Sequence, residues 1–171
     1  MACRADRGPP VWPHSFTLVQ RRSPGKTGNR SDATFTTFFD SKRGANLIKI
    51  VTDKNNSDVT WDLELNSGTS FYFNPNRNLC SKMHFPVGIL RTNWLQNASL
   101  IGKAIVRGRA AVGWTKVDFI DYWADEETCE PLSWYFHGMD ARFDSIYWGP
   151  NVQIPDTTWF KPPIMCVNSS L

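Results

Sequence analysis

A chain of 171 residues with 41% hydrophobic and 13% aromatic content is long enough for one domain with a real core. Its net charge of +3 comes without any nucleic-acid motif. No stretch approaches the roughly 18 apolar residues of a membrane helix. Eight Trp and eleven Phe favour strands over helices, and eleven Pro with eleven Gly punctuate short elements.

In chain order, residues 1–13 are charged, proline-rich and predicted irregular. Residues 14–166 read as a single β domain and 167–171 as a tail. Phe16–Gln20 is the first strand, followed by a polar loop from Ser23 to Asp32. Ala33–Phe39 and Asn46–Thr52 are the next two strands, joined by turn residues Ser41–Gly44. Val59–Leu65 alternates, with Val59, Trp61, Leu63 and Leu65 on one face and Thr60, Asp62 and Glu64 on the other. Asn66-Ser-Gly turns the chain into Thr69–Phe73, and the pattern so far is an antiparallel meander.

The pattern breaks at Pro86. Leu90–Asn97 is the best helix candidate, about two turns long, with Thr92 or Asn93 as N-cap. Leu100–Val106 returns to strand. From Trp114 to Phe136 two aromatic runs flank an acidic turn, and a last strand spans Phe143 to Trp148. The sum is a mainly β protein of about nine strands with one or two short helices.

The hairpin is the most informative segment. Read as extended chain, Trp114, Lys116, Asp118, Ile120 and Tyr122 share one face, and Thr115, Val117, Phe119, Asp121 and Trp123 the other. Both faces carry large rings, as a curled sheet around an interior space requires. The Phe119/Trp123 face is predicted to open on a pocket, with Trp61 and Phe73 as walls. Asp121, which lacks a basic neighbour on its face, would orient a ligand's polar head. Trp94 is either core or a lid over the mouth.

Other chemistry is sparse. Asp62 and Glu64 share a strand face and resemble a glycosidase-type acid/base pair, but the simpler reading is a solvent face. His14, His84 and His137 have no metal spacing, and no phosphate loop or nucleophile elbow occurs. No cofactor and no metal are therefore expected. The basic excess, ten Lys/Arg against four Asp/Glu in residues 1–54, includes Arg21, Arg22 and Arg43. A solvated rim of turns explains it without a partner.

Cys3, Cys80, Cys129 and Cys166 allow three pairings, which spacing does not choose between. Sequons stand at Asn29, Asn55, Asn97 and Asn168. Even cysteines and four sequons point to a secreted or lumenal protein. The first residues are no signal peptide, so that reading places the leader outside this sequence.

Three blocks carry a resemblance: Asp62–Phe73, Cys80 with His84–Leu95, and Trp114–Trp123. Together they resemble a family of uncharacterised land-plant and green-algal proteins, usually with secretory leaders. Some of its members bear an inherited glycosyl-transferase label. The resemblance implies a disulfide between Cys80 and Cys166. More distantly, Tyr122 with Asp125, Thr128 and Pro131 is similar to ependymin-related proteins and LolA-like bacterial lipoprotein carriers. That likeness implies a curled antiparallel half-barrel holding a hydrophobic pocket.

The expectation is thus a non-catalytic secreted binding protein holding a hydrophobic or amphipathic small molecule. The alternatives are an accessory subunit whose concavity a protein partner or second copy fills, and a glycan-active enzyme using Asp62 and Glu64.

Overall fold

A computed structural model describes residues 3, 8–28, 31–52, 55–153 and 157–167. Among them eleven strands form one antiparallel sheet, two more than the sequence suggests. The first meander comprises β1 (Ser15–Pro24), β2 (Ala33–Asp40), β3 (Ala45–Thr52), β4 (Asn55–Leu65), β5 (Thr69–Asn74) and β6 (Leu79–His84). The second comprises β7 (Ser99–Val106), β8 (Arg109–Lys116), β9 (Ile120–Asp125), β10 (Pro131–Phe136) and β11 (Ala141–Pro150). Pairing of β1 with β11 joins the two at the centre, so β6 and β7 are the outer edges.

That order forces a curl. Eleven strands about 4.8 Å apart span roughly 48 Å if flat. The connection from His84 to Ser99 reaches roughly 50 Å only when fully extended. It is not extended: Arg91 accepts from the Trp94 amide, Asn93 from Gln96 and Leu95 from Ala98, three successive i→i+3 turns. The two edges must therefore approach each other on the side this crossover takes. Ile89, Trp94 and Leu95 of the crossover pack into the core with Phe16, Phe39, Tyr122 and Trp134, so that face is concave.

Directly paired residues share a face. On the concave side stand Phe16, Leu18, Phe39, Trp114, Ile120, Tyr122, Trp134 and Phe143. The convex side has its own core over the other half of the sheet, where Leu47, Leu63 and Phe71 meet Phe160 and Cys166 of the C-terminal segment. That segment consists of a 3-10 turn, Thr157–Phe160, and the four-residue helix α1, Ile164–Val167. Disulfides Cys80–Cys166 and Cys3–Cys129 fasten the chain ends to opposite halves of the sheet.

Two sequence expectations need correction. Leu90–Asn97 is the string of turns just described, not a helix, and Asn97 ends it at φ 65°. A two-turn helix gains little by itself, whereas tight turns bury both adjacent side chains, Trp94 and Leu95. The Trp114–Trp123 run is two strands, broken by a turn in which Phe119 N–H donates to the Lys116 carbonyl and Asp118 takes φ 61°.

The Asp125/Thr128 motif has a structural role. Asp125 accepts from the amides of Glu127 and Thr128, from the Thr128 hydroxyl and from Arg109. Burial alone would raise its pKa, but these donors outweigh burial and hold it below the usual carboxylate value. Asp125→Ala leaves the Glu127 and Thr128 amides without this acceptor and should cost about 2–3 kcal/mol in a urea unfolding curve. A midpoint equal to wild type would show that the turn does not need them.

Candidate functional site

The crossover is pinned at its start and at its middle. Phe85 N–H donates to the Gly68 carbonyl at 2.7 Å, and Trp12 N–H donates to the Thr92 carbonyl at 2.8 Å. A side chain at Gly88 would meet the Asn66 backbone at 2.7 Å, so the strap lies tight against the β4–β5 turn. From Val87 to Asn97 it walls a cleft of about 330 Å³, which also reaches Lys116 at the end of β8. Its apolar wall is Val87, Ile89, Leu90 and Trp94, and its polar lining includes Arg91, Asn93, Gln96, Asn97 and Lys116.

Trp94 stands between cleft and core. Its ring lies 5.1 Å from Trp12, 5.6 Å from Tyr122 and 6.5 Å from Phe119, edge-on in each case. It is 8% exposed, and its Nε1 has no hydrogen-bond partner. Val87 is 82% exposed, and Leu90 is also exposed. A mostly buried aromatic wall with open aliphatic lips suits an apolar group entering from solvent.

The residues singled out from sequence divide between the faces. Trp94 and Phe119 come together beside the cleft, although Phe119 sits in the β8–β9 turn and not on a strand face. Trp123 lies on the convex side, its ring where a Gly113 Cβ would stand at 2.7 Å. Asp121 shares that face and pairs with His137 at 3.2 Å. Trp61 and Phe73 are a stacked cross-strand pair on the convex side, 6.4 Å apart, in the cluster under the C-terminal segment. These four cannot line a concave-side pocket with Trp94. The sequence does not point to Arg91, Lys116, Val87 or Leu90, which lie in the segment after Pro86 and at a strand end.

Asp62 and Glu64 are not on a solvent face. They sit on the concave side of β4, between Ile48 and Asn46 of β3 and Tyr72 and Ser70 of β5. Asp62 is 3% exposed. Burial, reinforced by the charge of Glu64, pushes it up to about 7, against the Tyr72 hydroxyl that hydrogen-bonds to it. Burial also raises Glu64, which accepts from Asn46 Nδ2 at 2.8 Å. Tyr72 separates Asp62 from a shallow pocket of about 210 Å³ edged by Asp58, Thr60 and Leu79. Asp62 Oδ1 is closed to solvent, and a general acid must reach its substrate.

Among the described residues no group of three His, Cys, Asp or Glu side chains is arranged to hold a metal, and no helix is long and apolar enough to cross a membrane. Of the sequons, Asn29 and Asn168 lie outside the described residues, Asn55 opens β4, and Asn97 is exposed on the lip of the cleft.

Together these features define an open, curled antiparallel sheet with a strapped cleft at its rim. Residues 11–166 match the family described as a domain of unknown function, DUF8395, and the chain belongs to that family. The match assigns neither an activity nor a plant source. An uncharacterized conserved protein from Thermus thermophilus shares the fold at TM-score 0.60 and 7% identity, over 87% of this chain and 85% of that one. A DUF1329 family protein from Desulfovibrio piger aligns at TM-score 0.47 and 11% identity, over 87% of this chain and 90% of that one. No curated protein matches the chain.

Proposed function

We propose that this is a non-catalytic binding protein that holds a hydrophobic or amphipathic small molecule in the crossover cleft. The observation that carries the reading is the cleft of about 330 Å³, backed by Trp94 and lipped by exposed Val87 and Leu90. Its volume falls within the few hundred Å³ usual for small-molecule sites. Two disulfides support a secreted or lumenal setting, where such bonds persist.

The test is calorimetric titration with dodecanoate, a C12 lysolipid and cholesterol. At least one should bind saturably. Leu90→Asp should abolish binding, while Leu79→Asp, at an exposed site on the far edge, should leave it intact. Binding indifferent to Leu90→Asp, or no binding at all, overturns the reading.

One observation favours the accessory-subunit reading as second. Both edges expose apolar side chains, Leu79 and Met83 on β6 and Leu100, Ile101 and Ile105 on β7. Bare apolar edges are sites for pairing with another chain. Failure of every titrant, with self-association or aggregation of the purified chain, selects that reading.

A further inference from the structure

We propose that the crossover cleft selects its amphiphile by an anionic head group, a carboxylate or a phosphate, held by Arg91 and Lys116. This rests on the cleft being a small-molecule site, and adds the sign of the charge it takes.

Two observations converge on an anion. First, the cleft is lined by two cations and no carboxylate. Neither Arg91 nor Lys116 enters an ion pair among the described residues. Asp118, the nearest acid in sequence to Lys116, sits in the β8–β9 turn and does not line the cleft. Second, the neutral polar groups are partly engaged with each other, Asn93 Nδ2 donating to Gln96 Oε1 at 2.8 Å. What remains for a head group is donor-rich and positive.

The geometry also sorts head from tail. Arg91 offers a planar fork suited to two oxygens of a carboxylate or phosphate, and Lys116 a point charge. Val87 and Leu90 offer the apolar surface, open to solvent, along which a chain can lie. An ammonium head would meet two like charges. A hydroxyl head would gain little from the cations.

The experiment is calorimetric titration of the full chain with four amphiphiles of one chain length, each below its micelle concentration: dodecanoate, dodecyl phosphate, dodecylamine and dodecanol. At least one anion should bind about tenfold or more tighter than dodecanol, with dodecylamine weakest. The tighter anion identifies the head group as carboxylate or phosphate. In the Arg91→Gln/Lys116→Gln double variant the anions should fall to the affinity of dodecanol, and dodecanol itself should hold within about twofold. Equal affinity for all four amphiphiles overturns charge selection and leaves the cleft as an apolar site. Anion binding that survives the double variant also overturns it. No binding by any of the four overturns the anionic-head proposal, and only with silence from the C12 lysolipid and cholesterol as well does it overturn the small-molecule reading itself.

Discussion

Asp62→Asn should make this protein more stable at neutral pH and flatten its stability profile between pH 4 and 7. The Asp62 carboxyl is buried on the concave side of β4, and its pKa is pushed from 3.8 to about 7 by burial and by Glu64. The folded state therefore binds the proton more tightly than the unfolded chain does. Below about pH 4 both states carry it, and the fold has the full benefit. As pH rises toward 7 the unfolded chain releases the proton while the folded protein still holds it. Stability falls over that interval by about 1.4 kcal/mol per pH unit, up to about 4 kcal/mol in total. Above pH 7 both states are ionised and this group adds no further slope.

Asparagine has the same shape, keeps an acceptor for the Tyr72 hydroxyl and carries no charge to bury. It also puts an N–H₂ donor in place of the unpaired Asp62 Oδ1, on the face where Asn46 Oδ1 is an unpaired acceptor. Urea unfolding at pH 5 and pH 8 measures the effect. Wild type should be weaker at pH 8 by a few kcal/mol, and the variant should lose most of that difference. Glu64→Gln should act in the same direction, because burial raises Glu64 as well. A wild-type protein more stable at pH 8 than at pH 5 would contradict this account.

Much of the sheet is legible in the sequence because alternation survives in its central strands. Val59, Trp61, Leu63 and Leu65 do share one face, and the β4–β5 turn falls at Asn66–Gly68. Strand β6 escapes such a reading because its residues are nearly all exposed, so Leu79–His84 carries no inward periodicity. The turn at Asp118 escapes it because Val117 and Phe119, both exposed in that turn, continue the apolar alternation of the strands on either side.

The site is harder to see for a nonlocal reason. Alternation says which residues share a face, but not which face the crossover will cover. Once the strap from β6 to β7 takes the Tyr122/Trp134 side, Trp61, Phe73, Asp121 and Trp123 all fall on the other. The same fact corrects Asp62 and Glu64. A strand with an apolar stripe on one side is expected to be wet on the other, unless the sheet curls over that side too. Here β4 is enclosed on both, by the C-terminal segment on the convex side and by curvature on the concave side. Trp94 can be placed from sequence because both readings of it, core and lid, need the segment after Pro86 to cross the sheet.

Replacing both Cys80 and Cys166 by Ser should give the largest loss of stability, yet leave the cleft intact. The bond spans 86 residues, and in the chain-entropy model closing so long a loop restricts the unfolded chain by roughly 4–5 kcal/mol. At about 2–4 °C per kcal/mol for a chain of this size, the melting temperature should fall by roughly 8–20 °C. The bond also has a local effect. Helix α1 is only four residues long and cannot persist by propensity, so Cys166 and Phe160 hold the C-terminal segment over Leu63 and Phe71. Once released, that segment should be cut early by protease, and the bared convex surface should bind a hydrophobic dye. The cleft lies on the other face, and its strap is fastened through Gly68 and Trp12, not through either cysteine. Amphiphile affinity measured well below the new melting point should therefore match wild type within about twofold. Unchanged melting would show that the bond restrains nothing the fold does not already hold. Lost binding at full folding would mean that the two faces are coupled through β4 and β5.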